Sequence, residues 1–219
     1  MSIAPMPVHK DDGTQIDMNL FAERLRRAQY RQDLHDARYH TDIYVLPKAK
    51  RLTHLVLHHC KYVAELVLKL ETWTPEWKKG EINGWKRFER IALDGVIICL
   101  SMTNICGKLV PGTFATMPWM NISARESMIT SMGKMAKTIE DIDHMGQSNP
   151  LGELWNECMV LFSCYVHCLK LMGIPFWEMF DKVHDRLLAV EAKHMWHNNI
   201  LDEIDRLMEE YDSERIING

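Results

Sequence analysis

The sequence predicts an all-α fold, a bundle of about six to seven helices. Apolar residues recur at helical spacing in successive segments, and no segment requires a strand. Two long apolar runs, Ile91–Gly107 and Glu157–Gly173, each end in glycine, a helix-stop signal. Pro150 and Pro175 stand where new helices would open, proline being tolerated in a first turn.

Residues 1–16 read as a flexible arm, and 17–219 as a single helical domain. A polar helix is expected over about 17–38, with Phe21, Leu25, Ala28 and Tyr30 as a weak apolar side. The second helix spans roughly 49–71, where Leu52, Leu55, Val56, Val63, Leu66, Val67 and Leu70 recur with helical period. A loop over 72–84 leads to a third helix at about 85–107, and a second loop carries Pro111, Gly112 and Pro118. The fourth helix opens on a capping-box pattern, Ser123 to Glu126, and runs to about 145. Asn149-Pro150 starts the fifth, which ends at Gly173; a sixth runs from Pro175 to about 196, and a polar seventh lies near 199–211. Shifting the chain by 66 residues puts Ile91 on Glu157 and Gly107 on Gly173, which suggests a duplicated helical hairpin with halves at 49–110 and 123–196.

Composition narrows the function. The 219 residues are 47% apolar and 26% charged with a net charge of −4, and no Lys/Arg-rich stretch stands out. That argues against nucleic-acid binding through a basic surface. The start, Met-Ser-Ile-Ala-Pro-Met-Pro, lacks a basic-then-apolar leader, and the Ile91–Gly107 run is too short and too interrupted by polar residues to span a bilayer. The reading is a cytoplasmic protein with no membrane partner. Five of the six cysteines sit in apolar helical runs with no C-x-x-C pair, as buried free thiols would.

The chemistry lies in the acids. Asp94 is the only charge between Ile91 and Gly107, and no other charged side chain intervenes between Glu157 and Leu169. A carboxylate on a buried helix must be neutralised, paired or bound to a metal. The bland alternative is that each sits near solvent in its helix's first turns, favoured by the helix dipole. Glu140 and Asp143 are three apart and share a helical face, as do Glu153 and Glu157 on the next helix. Thirteen residues separate Asp143 from Glu157, enough for a turn and an antiparallel return. Glu140, Asp143 and Glu157 would then meet between two helices as an oxygen cage for a hard cation such as Mg²⁺. An i,i+3 acid pair is otherwise an ordinary solvated face.

An acid-x-x-acid helix followed by acids at the head of an apolar, glycine-terminated helix resembles the all-α NTP pyrophosphohydrolases: MazG-like proteins, dimeric dUTPases and phage dCTPases. The family pattern is Glu-x-x-Glu followed by Glu-x-x-Asp. In the second half Glu140 and Asp143 match the first pair and Glu157 the third acid, while Val160 replaces the fourth. In the first half Glu65 and Asp94 match the second and fourth acids, while Tyr62 and Ile91 replace the others. Gly173-Ile-Pro-Phe-Trp-Glu-Met-Phe-Asp-Lys is also similar to the family's segment after its acidic helix, but the later Lys-x-x-x-Asn is not matched, with Arg186 and Val190 nearest.

The resemblance implies two fused MazG-like hairpins and a Mg²⁺-dependent attack of water on a nucleoside triphosphate, releasing pyrophosphate and a (deoxy)nucleoside monophosphate. Glu140, Asp143, Glu157, Asp94 and Glu65 would form one composite metal site, with Glu157 or Glu140 orienting the water. Family members dimerise, so it implies a homo-oligomer unless the duplication supplies the second half. The missing acids favour the alternative, a degenerate bundle that binds a nucleotide or a protein without turnover.

Other residues have rival readings. Trp73, Trp77 and Trp85 flank a loop with Lys78 and Lys79, where Trp77 would stack a base and Lys78 hold a phosphate; tryptophans at such places more often close a bundle. Lys61 with His58 is a second phosphate candidate. The pairs His54/His58 and His194/His197 have helical metal-ligand spacing but no complete ligand set. Cys164, His167 and Cys168 read as packing.

Overall fold

The structure is a computed structural model, and it describes residues 17–71, 82–111, 123–144 and 149–193. Among these residues there are seven helices and no strand: α1 (Met18–Tyr39), α2 (Thr41–Tyr44), α3 (Lys48–Glu71), α4 (Ile82–Cys106), α5 (Ala124–Asp143), α6 (Pro150–Leu171) and α7 (Met179–Glu191). The all-α expectation holds. The expected arm and the seventh helix near 199–211 lie outside the described residues. No helix described is long and apolar enough to cross a membrane.

Four helices form the core. α3 packs on α4, α4 on α6, α6 on α5, and α5 back on α3, giving a closed ring in the order α3, α4, α6, α5. Neighbours in the ring run antiparallel: Arg125 at the start of α5 pairs with Glu71 at the end of α3, and Cys99 of α4 meets Cys158 of α6. The corresponding helices of the two hairpins therefore lie side by side and antiparallel, as a two-fold axis across the bundle would place them. The symmetry stops there. α1 and α7 pack on each other and on α4, covering one flank.

The helix ends follow local chemistry. Asn149 caps α6 by accepting from the Gly152 amide at 3.2 Å, and Pro150 follows it in the first turn. Both apolar helices stop on the same glycine motif: Gly107 and Gly173 have φ of 67° and 79°. The next amides, Lys108 and Ile174, reach back to the Thr103 and Leu169 carbonyls at 3.1 Å in each case. The expected capping box does not form, since the Ser123 side chain makes no cap hydrogen bond. α7 begins at Met179 rather than Pro175, after a turn closed by Glu178 N–H on the Pro175 carbonyl.

α1 departs most from its sequence reading. Phe21 and Leu25 are buried as expected, but Tyr30 is 59% exposed. The buried face continues instead through Gln29, Gln32 and His35. Gln29 donates to Thr103 Oγ1 at 2.9 Å and accepts from the Val110 amide at 3.0 Å, which satisfies its amide inside the protein. A buried polar face paired to α4 and, through His35, to Glu191 of α7 is invisible to apolar periodicity. The short α2 was also not anticipated.

Candidate functional site

The added layer creates a cleft. α1, α2, α3, α4 and α7 enclose about 210 Å³ between them. One wall is apolar, built from Leu55, Ile97, Ile98, Leu187 and Val190. The polar lining includes Arg51, Arg186, His35, His40, His54 and His58, against only Asp36 and Asp94 as acids.

Both acids are already engaged. Arg186 donates to Asp94 through Nε at 2.7 Å and Nη2 at 3.1 Å, a two-pronged pair with side chains only 18% and 16% exposed. Asp36 accepts from Gln32 Nε2 at 2.8 Å and from Ser101 Oγ at 2.6 Å. The remaining polar lining is arginine, histidine and tyrosine. Arg51 stacks over the Tyr44 ring at 4.3 Å. His54 and His58 meet through their Nε2 atoms at 3.1 Å, and no third His, Cys, Asp or Glu atom converges on them among the described residues. Burial, with the nearby His54 and Lys61 charges, lowers the His58 pKa, so this imidazole favours its neutral form. Tyr62, which stands in the place of an acid, lines the same cleft, and burial together with the Asp94 charge pushes its phenol up to about 12.

Two lining groups have a buried polar atom without a hydrogen-bond partner, Gln32 Oε1 and His58 Nδ1. Gln32 is 1% exposed, and its Oε1 accepts no hydrogen bond. Such buried orphans are rare, and each costs about 1–3 kcal/mol.

The second half is built differently. Glu157 accepts from Ser131 Oγ at 2.8 Å and Lys134 Nζ at 3.0 Å, in the seam between α5 and α6. Thr138 Oγ1 faces Glu153 at 3.5 Å, so the helices are in antiparallel register with Glu157 opposite 131–134. Glu140 then lies six residues beyond Lys134, about 9 Å along the axis at about 1.5 Å per residue. Glu140 is exposed and paired with Lys137 at 3.1 Å, and Asp143 is exposed at the end of α5. Glu65 is held by Arg87 at 2.6 and 2.9 Å.

The expected composite cage of Glu140, Asp143, Glu157, Asp94 and Glu65 is therefore not assembled: no three of these acids converge among the described residues, and Glu140, Glu157, Asp94 and Glu65 each pair with a cation. Mg²⁺ needs several oxygens about 2.1 Å from one point, and these residues do not present them. Lys61 lies over the Tyr62 ring at 5.3 Å on the exposed side of α3. Trp77, Lys78, Trp73, His194 and His197 lie outside the described residues.

A second constellation occupies the bundle centre. His59 of α3, Cys99 of α4 and Cys158 of α6 are each fully buried, and their ligand-capable atoms lie within 4.8 Å of one another. His59 Nδ1 is 2.9 Å from the Tyr165 hydroxyl, and its Nε2 is 3.9 Å from Cys99 Sγ. The thiols exchange weak bonds: Cys99 donates to the Cys158 carbonyl at 3.7 Å and Cys158 to the Cys99 carbonyl at 3.6 Å. Burial pushes His59 down to about 3 and raises the Cys99 thiol, so both are neutral. Tyr165 fits only because residue 95 is glycine; a Cβ there would stand 2.5 Å from its ring. Sequence spacing missed this group because its members come from three helices. The remaining buried cysteines, Cys106, Cys164 and Cys168, pack in the core, whereas Cys60 is exposed.

Comparison of the chain with protein-family models, curated proteins and solved structures finds no match.

Proposed function

We propose that this chain is a small-molecule-binding bundle, a MazG-like helical framework whose scattered acids no longer act as a catalytic cage. Its ligand is a phosphorylated molecule of the nucleotide class, held in the cleft of α1, α2, α3, α4 and α7. The observation that carries this reading is Gln32 Oε1, a buried acceptor without a partner in a lining that also presents Arg51 and four histidines. A sugar hydroxyl or base N–H would satisfy that oxygen. Arg51 and the His54/His58 pair supply donors for a phosphate, and the isoleucine and leucine wall receives an apolar ring face.

Mg²⁺-dependent hydrolysis of a nucleoside triphosphate is the rival reading. It rests on the motif resemblance and would require Glu157 to leave Lys134 and Asp94 to leave Arg186.

The test is calorimetric titration of the full chain with ribo- and deoxynucleoside mono-, di- and triphosphates, with and without Mg²⁺, beside an assay for pyrophosphate. Saturable binding without Mg²⁺ is expected, with no pyrophosphate. Arg51→Ala should weaken binding about 10-fold, as loss of a charge-assisted phosphate contact does. Mg²⁺-dependent pyrophosphate release that disappears in Glu157→Gln would instead establish the hydrolase. A folded protein that binds none of these ligands would remove the nucleotide from either account.

A further inference from the structure

We infer that His59, Cys99 and Cys158 form an internal binding site for a borderline-soft divalent cation, Zn²⁺, which joins three helices of the bundle. This inference is independent of the cleft.

The donor set comes first. Two sulfurs and one imidazole nitrogen are a ligand combination that Zn²⁺ takes, at about 2.3 Å for sulfur and about 2.0 Å for nitrogen. A tetrahedral centre with those bonds spaces its donors by somewhat under about 4 Å. The three donors here already lie within 4.8 Å of one another, so closing on a common ion needs shifts of about 1 Å or less.

The surroundings fit the same purpose. His59 is directed by Tyr165: the phenol occupies Nδ1 at 2.9 Å, and Nε2 is left facing Cys99. A ring nitrogen held by an outer partner while the other faces the metal is the usual arrangement of metal-binding histidines. Gly95 in turn provides the space for Tyr165. The network thus extends from a missing Cβ, through a phenol and an imidazole, to two thiols.

Charge decides between metals. Two thiolates and a neutral imidazole carry −2, and Zn²⁺ brings the site to zero. A monovalent soft ion such as Cu⁺ would leave an uncompensated −1 in the core, which is costly. On binding, each thiol loses its proton to solvent, two sulfur–zinc bonds form, and the weak S–H···O=C contacts are given up. No electron is transferred. Three protein ligands leave the fourth tetrahedral position to a water or another small donor. Because all three residues are fully buried, the ion enters as the chain folds.

The experiment uses the full chain, purified under reducing conditions, unfolded with denaturant and chelator, then refolded with Co²⁺ as the spectroscopic probe. The expected result is one Co²⁺ per chain, with thiolate charge-transfer and tetrahedral ligand-field bands that Zn²⁺ abolishes by displacement. Cys99→Ser and Cys158→Ser should each remove the thiolate bands, while Cys164→Ser, a buried control outside the group, keeps them. Tyr165→Phe should retain one equivalent with affinity lowered about 10-fold, the size of an outer-partner effect. Circular dichroism confirms that each variant is helical. Should a cysteine variant fail to fold, the wild-type spectrum together with the Tyr165→Phe titration decides. Refolded wild-type protein without thiolate bands would overturn the site. Bands that persist in both Cys99→Ser and Cys158→Ser would overturn it as well, by placing the metal elsewhere.

Discussion

Asp94 and Glu157 occupy comparable places in two comparable helices, yet the protein treats them differently. Both interrupt apolar runs that end in the same glycine motif. Asp94 faces α7 and is clasped by Arg186 beneath the layer that α1 and α7 add. Glu157 remains in the seam of its own hairpin, held by Ser131 and by Lys134, whose side chain is 60% exposed. The packing partner, not the helix that carries it, sets the fate of each acid. One hairpin carries a covering layer and a cleft; the other has an acid-lysine seam.

The largest contrast should appear on deleting the two acids. Asp94→Ala strands Arg186 in a partly buried position and should cost about 3 kcal/mol in denaturant unfolding. Glu157→Gln keeps an acceptor for Ser131 and loses only a pair with an exposed lysine, so under about 1 kcal/mol is expected. Equal losses would mean that the two environments are not distinct.

The glycines give a second contrast. Gly95→Ala drives a Cβ into the Tyr165 ring and should destabilise by about 2 kcal/mol through overpacking. Gly133→Ala in α5 meets nothing within 4 Å and should stabilise by about 0.5–1 kcal/mol, through the backbone entropy that glycine loses in a helix. Thermal melts of the two variants should move in opposite directions.

The smallest effect concerns pH, in the covered half alone. Burial lowers the His35 pKa from its ordinary 6.5, outweighing the hydrogen bond to Glu191, with His40 opposing the charge and Asp36 favouring it. As pH falls below 6.5, the unfolded chain takes up this proton before the folded one does, so stability declines from there to the lower folded value. Glu191 enters later. Its burial is outweighed by hydrogen bonds from His35 and Arg31, so its pKa lies below 4.5, and its contribution is lost only as pH falls through that lower value. His35→Gln should therefore flatten the dependence of Tm on pH just below 6.5. An unchanged slope there would show that His35 is not the group responsible.

The sequence by itself determined the five long helices up to Leu171 and several of their ends. Helical period, Asn149-Pro150 and the glycines at 107 and 173 act within a turn or two of chain, so each is readable locally. It also singled out Asp94 and Glu157, because a charge in an apolar run stands out. The capping pattern at Ser123 shows the limit even of local signals, since the side-chain bond it implies is not made.

Only the tertiary structure decided which groups meet. Pairing between α5 and α6 sets Glu157 opposite Lys134 instead of Glu140, and no i,i+3 spacing specifies that register. The buried amides of Gln29 and Gln32 are polar residues whose burial depends on partners about 70 or more positions away. His59, Cys99 and Cys158 converge only after three helices close around one axis. Helices form from contacts near in sequence, whereas sites form from contacts distant in it, and the second kind exists only once the bundle has closed.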